Sequence, residues 1–210
     1  AKGWFKGTDG VRDQITSIEG IRGTNRIDKV IGDHHINSFR GLDGADVLKG
    51  GGGTDWTIYD QDARFGGSAG VRVDLGGGFA IDGFGARDRL VSVEAAVGTQ
   101  SGDTFIDNGG NNTFYGLGGD DSFQLSQGTD TLYGGTGADT FTFVGPDFGA
   151  DTIGDFEDGT DMLEIADAPG FAALTISVDG ADMLIEWNGN SIRLLGQAGA
   201  TIDANDFFFP

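Results

Sequence analysis

Large apolar residues recur along this chain at a step of nine. Over one stretch they fall at Phe105, Phe114, Phe123, Leu132 and Phe141, and two places before each stands Asp103, Asn112, Asp121, Asp130 or Asp139. Glycine fills much of the space between, as in GLGGDDSFQ (116–124) and GGTGADTFT (134–142). An α-helix is excluded, since each internal glycine there costs about 0.5–1 kcal/mol against alanine. An antiparallel meander fits poorly, because its strands would run about 5–6 residues between turns. The pattern predicts short strands alternating with glycine-rich turns, wound as a parallel solenoid. Two nonapeptides make one coil, so residues 18 apart stack on one edge. That places Asp103, Asp121 and Asp139 on one edge, and Asn112 and Asp130 on the other.

An earlier copy of the pattern runs from Val11 to Asp55 and aligns without a gap on Ala86–Asp130, at an offset of 75. RDQITSIEG (12–20) falls on RDRLVSVEA (87–95), and NSFRGLDGAD (37–46) on NTFYGLGGDD (112–121). The polar ladder there is Asp28, Asn37, Asp46 and Asp55, with Val30, Phe39, Leu48 and Thr57 as its apolar partners. Glu19 and Glu94 lie nine residues before Asp28 and Asp103, so each winding is expected to begin one rung earlier. His34 and His35 replace Gly109 and Gly110, and the neutral Asn37 and Asn112 weaken their edge as a cation site. Adjacent histidines could serve as a transition-metal site or a catalytic base. Neighbours on a strand point to opposite faces, however, and no HxxxH spacing follows, so a solvated turn is the expectation.

Residues 56–85 interrupt the ladder. VRVDLGGGFAIDG (71–83) predicts a hairpin around Gly76–Gly78, with Val71, Val73 and Leu75 on one face. The preceding WTIYDQDARFGGSAG, with Trp56, Tyr59, Arg64 and Phe65, either packs over the coil or forms an aromatic-lined glycan site, and packing is favoured. After Thr142 the spacing changes, with Asp151 followed by Asp155, Asp158 and Asp161. LTISV (174–178), MLIEW (183–187) and SIRLL (191–195) then predict an antiparallel sheet capping the solenoid. At the other end Trp4 and Phe5 are expected to cap the first coil, or to form an exposed ligand platform. The expected organisation is a first repeat block (1–58), a hairpin-like insertion (59–85), a second block (86–165) and a C-terminal β cap (166–210).

Charge narrows the choice of partner. The 33 acidic residues against 13 basic give a net charge of −20, which disfavours nucleic acid and anionic membranes. There are 40 glycines without a G-X-Y period, and no cysteine to supply disulfides or thiolate ligands. No apolar run approaches the roughly 20 residues of a transmembrane helix. A G-x-S-x-G elbow and a phosphate loop are both missing, so no enzyme is expected within this sequence. It opens AKGWFKGTDG, with neither an initiator Met nor an apolar leader, and is expected to be the downstream piece of a longer polypeptide.

Stacked carboxylates repel unless a cation lies between them. Glycines that allow positive φ leave backbone carbonyls pointing at one spot, and the aspartate adds a charged oxygen there. All-oxygen donors suit Ca²⁺, at about 2.3–2.6 Å, rather than zinc. The candidate ligands are Asp28, Asp46, Asp55, Asp103, Asn112, Asp121, Asp130 and Asp139, with Gly119 and Gly137 at their turns. A series of solvated acidic loops would need no common register, and five markers in register argue against it.

Gly134, Gly135, Gly137, Asp139 and Phe141 match G-G-x-G-x-D-x-U-x in every specified place. The chain here resembles the RTX (repeats-in-toxin) family of secreted bacterial proteins, strongly over most of Asp13–Asp161 and loosely beyond. The resemblance implies an all-β fold, a right-handed parallel β-roll with a C-terminal antiparallel β cap, and Ca²⁺ as cofactor. FVGPDFGADTIGDFEDGTDMLEI (143–165) resembles the segment closing many RTX blocks, which adds Asp151, Asp155 and Asp158 as ligands of the last calcium ions. ATIDANDFFFP (200–210) resembles a type I secretion signal, implying the type I machinery as a partner, an extracellular location and folding on calcium after export. The upstream cargo would be an enzyme, toxin or adhesin. The alternative function is a calcium-dependent module binding a glycan or cell surface through the acidic edges or the Trp56/Tyr59 region.

Overall fold

A nonapeptide forms only a three-residue strand because only its central strand position carries a large inward side chain. Lys29–Ile31, Ser38–Arg40 and Val47–Lys49 each bury the middle residue alone: Val30, Phe39 and Leu48. Polar ladder residues and glycines on either side then turn the chain into the opposite sheet. The computed structural model describes residues 3–6, 12–15 and 19–210, with side chains from residue 19 onward. The Trp4 and Phe5 side chains, and the cap or platform expected of them, lie outside the described residues. Two units divide the chain, Ala1–Gln100 and Ser101–Pro210.

The first unit begins with β1 (Gly3–Lys6) and β2 (Arg12–Ile15), an antiparallel pair. The coil follows as β3 (Gly20–Arg22), β4 (Lys29–Ile31), β5 (Ser38–Arg40), β6 (Val47–Lys49) and β7 (Trp56–Ile58). Successive strands alternate between two sheets. β3, β5 and β7 pair in parallel, Gly20 with Ser38 and Ser38 with Trp56, while β4 pairs in parallel with β6, Lys29 with Val47. One coil is therefore two nonapeptides. A single helical turn, α1 (Asp62–Phe65), leads into β8 (Arg72–Asp74), β9 (Phe79–Ile81) and β10 (Arg87–Val91), an antiparallel meander. Val71, Val73 and Leu75 are all buried. β10 then pairs in parallel with β6, and β11 (Ala95–Val97) with β7. The excursion thus returns the chain to both sheets one level on.

The second unit runs through β12 (Thr104–Ile106), β13 (Thr113–Gly118), β14 (Ser122–Leu125), β15 (Thr131–Thr136), β16 (Thr140–Phe143), β17 (Ala150–Ile153) and β18 (Met162–Ile165). Even- and odd-numbered strands again form separate parallel ladders. Between them Phe105, Phe114, Phe123, Leu132 and Phe141 have no exposed surface. Phe105, Phe123 and Phe141 stack at centroid separations of 5.1 and 4.9 Å. The coil ends in β19 (Thr175–Asp179), β20 (Asp182–Trp187) and β21 (Asn190–Leu194), an antiparallel sheet whose last strand pairs in parallel with β17. A final strand, β22 (Phe207–Phe208), lies parallel to β18 and buries Phe207 while leaving Phe208 exposed. Each unit is a parallel β-roll, and the second ends in an antiparallel C-terminal cap.

Candidate metal centre

The polar residue two places before each inward apolar residue sits where the strand leaves the turn, so its side chain points along the coil axis. In the second unit the Asp103 N–H donates to Asp121 Oδ1 at 2.7 Å, Asp121 N–H to Asp139 Oδ1 at 2.9 Å, and Asp139 N–H to Asp161 Oδ1 at 3.0 Å. On the other edge Asn112 N–H donates to Asp130 Oδ1 at 2.7 Å and Asp130 N–H to Asp151 Oδ1 at 2.9 Å. The first unit repeats the arrangement. Asp28 N–H donates to Asp46 Oδ1 and Asp46 N–H to Asp88 Oδ1; Asn37 N–H donates to Asp55 Oδ1 and Asp55 N–H to Glu94 Oε2. Each carboxylate thus anchors the backbone of the preceding coil.

That accounts for one oxygen of each carboxylate. The second, Oδ2, is buried without a hydrogen-bond partner in Asp46, Asp55, Asp121, Asp130, Asp139 and Asp151. Burial pushes the carboxyls of Asp121 and Asp151 up to about 8 and those of Asp46 and Asp130 up to about 7. Hydrogen bonds from the stacked backbone pull the other way, and neighbouring carboxylates add to the rise. Taken alone these groups are unstable as anions.

Glycine lines the same space. A Cβ on Gly23 would stand 2.6 Å from Asp28 Oδ2 and 2.8 Å from the Gly41 carbonyl oxygen. On Gly116 it would run into Asp121 Oδ2 and the Gly134 carbonyl oxygen, and on Gly137 into the Gly119 carbonyl oxygen. Gly119 and Gly137 hold φ of 97° and 133°. Side-chain and carbonyl oxygens of successive coils therefore converge on points kept clear by the missing Cβ. Orphaned anionic oxygens and carbonyls without a nitrogen or sulfur donor fit a hard divalent cation.

The family model for the RTX calcium-binding nonapeptide repeat matches four copies, over residues 31–63, 97–132 and 124–142. These are RTX repeats. Two solved structures are similar to the chain. The extracellular lipase LipA from Serratia marcescens is 17% identical, with a TM-score of 0.36, over 93% of this chain and 41% of that one. A subunit of the mannuronan C5-epimerase from Azotobacter vinelandii is 18% identical, with a TM-score of 0.37, over 92% of this chain and 85% of that one. The chain thus spans less than half the length of the lipase. No curated protein matches it. RTX repeats bind calcium, and the chain is accordingly a calcium-binding β-roll module.

Several expected RTX ligands stand elsewhere than the ladder. Asp155 accepts the Gly134 and Gly135 N–H groups on its two oxygens, bracing a turn from outside. Asp158 is exposed and accepts the Thr201 N–H at 3.1 Å. Asp161 is the rung that follows Asp139 instead. Asn37 and Asn112 turn Oδ1 back onto the N–H groups of Asp33 and Asn108. Asp88 was not expected at all. It is 1% exposed, receives the Asp46 N–H and the Tyr59 hydroxyl, and is pushed up to about 8 by burial. Its detectable signal is its place two residues before the buried Leu90, the offset of every other rung. Tyr59 itself is 1% exposed, so it packs against the roll rather than lining a glycan surface.

Proposed function

We propose that this RTX module is a calcium-triggered folding unit of an exported protein, unfolded during passage and folded outside the cell. The supporting observation is the set of buried carboxylates whose second oxygen has no partner. A chain that must hold such groups as anions gains little from collapse until a cation neutralises them. Calcium supplies that charge; the ladder residues Asp28, Asp46, Asp55, Asp103, Asn112, Asp121, Asp130, Asp139 and Asp151, with the Gly119 and Gly137 turns, would hold it. Extracellular modules bind calcium at about 10⁻⁴–10⁻³ M, so occupancy would separate the outside from the cytosol.

The four-part organisation at 1–58, 59–85, 86–165 and 166–210 belongs to the same reading. Residues 59–85 extend the first block, and the cap closes the second. The end of the chain would act twice, as a type I export signal when unfolded and as β22 when folded, where Phe208 remains exposed. Thermal unfolding tests the calcium part: the midpoint should climb with CaCl₂ and ignore equimolar MgCl₂, and equal response to both metals would sink it. Export is tested by co-expression with a type I exporter, where removal of residues 203–210 should leave the chain in the cell. Secretion unaffected by that deletion would remove the signal from the proposal.

A further inference from the structure

Calcium has no use for the bend at His34 and His35, because imidazole is a poor ligand for a hard cation. These are the only two histidines in the chain, and there is no cysteine. Opposite-face pointing, expected of strand neighbours, does not apply: both residues lie in a bend between β4 and β5. Their ring centroids are 3.9 Å apart. One donor atom each from Asp33, His34 and His35 falls within 4.8 Å of the others. We propose that His34 and His35, with Asp33 orienting the His35 ring, form a site for one borderline divalent transition ion of the zinc, copper or nickel class, separate from the calcium ladder.

The bend is built for it. Asp33 Oδ1 accepts the His35 N–H at 2.7 Å and lies 3.0 Å from His35 Nδ1. A proton on Nδ1 held by that carboxylate leaves the Nε2 lone pair free, the arrangement by which carboxylates orient metal-binding histidines. The backbone beneath is fixed. Asn37 Oδ1 takes the Asp33 N–H, the Asp33 carbonyl takes the Gly52 N–H, and Asp55 Oδ1 takes the Asn37 N–H. A Cβ on Gly53 would stand 2.9 Å from the His35 carbonyl carbon, so the next coil presses directly on the bend. The rings stay outside, with the His35 side chain 60% exposed. They line an open depression with Glu19, Ile36 and Gly53, and Glu19 there is a carboxylate within the same hollow. Rotation of the exposed His34 ring can bring its nitrogen beside His35 Nε2 on one zinc, whose nitrogen ligands lie at about 2.0–2.1 Å. The coil position that has a neutral Asn37 in place of a carboxylate thus carries two imidazoles in its turn.

The test is calorimetric titration of the untagged, calcium-saturated chain with ZnCl₂, followed in parallel by the imidazole NMR resonances. One equivalent should bind, shifting the resonances of both histidines. The His34→Gly/His35→Gly variant, which copies Gly109 and Gly110 of the aligned repeat, should keep its circular dichroism spectrum and lose the site. Asp33→Asn, which retains both rings and an acceptor oxygen, should weaken zinc about 10–100-fold. Zinc binding unchanged in the double-glycine variant, a shift confined to one histidine, or wild-type affinity in Asp33→Asn would overturn the proposal.

Discussion

Oδ1 of Asp139 accepts the backbone N–H of Asp121 at 2.9 Å, while Oδ2 of the same carboxylate is buried with no partner. One oxygen fixes the coil before it, and the other demands a cation. The two jobs can be separated by mutation. Asp121→Asn keeps an acceptor for the Asp103 N–H and removes a buried negative charge. Chelated Asp121→Asn should therefore be more folded than wild type, yet need about tenfold or more calcium for its full response, as one anionic ligand is lost. Asp121→Ala should fail on both counts. Asp158→Asn, at an exposed residue off the ladder, should match wild type in a calcium titration followed by circular dichroism.

The pH dependence should invert with calcium. Carboxyls raised by burial from 3.8 to about 6 in Asp55 and Asp161, and to about 8 in Asp121 and Asp151, bind more protons folded than unfolded. Their protonation therefore favours the metal-free fold at low pH, and that stability is lost as pH rises through the raised values. Chelated protein should be more structured at pH 5 than at pH 8. With calcium the order reverses, because protons compete for the same oxygens. Denaturant melts at the two pH values, with and without chelator, check both signs.

A methyl group tests the cradle. Gly116→Ala places a Cβ against Asp121 Oδ2 and the Gly134 carbonyl, and should abolish the calcium response of its rung. Gly145→Ala is the control: φ is 88°, but nothing lies within 4 Å, so only backbone strain of about 1–2 kcal/mol follows. Melting in saturating calcium separates the two.

The aromatic stack supplies the rest of the cohesion. Phe123 sits between Phe105 and Phe141 with no exposed surface, so Phe123→Ala should cost about 3–5 kcal/mol in the calcium-loaded protein. Equilibrium unfolding in denaturant measures it.

The coil was legible in the sequence because a nine-residue step puts Phe105, Phe123 and Phe141 on one sheet and Phe114 and Leu132 on the other. Beyond the regular blocks that step misleads. Successive rungs lie 18 residues apart from Asp103 to Asp121, but 22 from Asp139 to Asp161, and 42 from Asp46 to Asp88. What survives is the offset of two between rung and inward apolar residue. It holds at Asp88/Leu90, Asp151/Ile153 and Asp161/Leu163, and each of those apolar residues pairs in register with the inward apolar residue of the coil before. Coil length can vary because loops bulge into solvent, whereas strand register cannot. The histidines lie in an exposed bend between β4 and β5, the turn expected of them, so strand alternation does not govern where their rings point.

The most direct test is a far-UV circular dichroism titration of chelated protein at pH 8 with CaCl₂, with MgCl₂ alongside. A buried, charge-bearing ladder predicts little β signal at the start and a cooperative gain with calcium alone. A metal-free protein already fully folded at pH 8, unmoved by chelator, would contradict it.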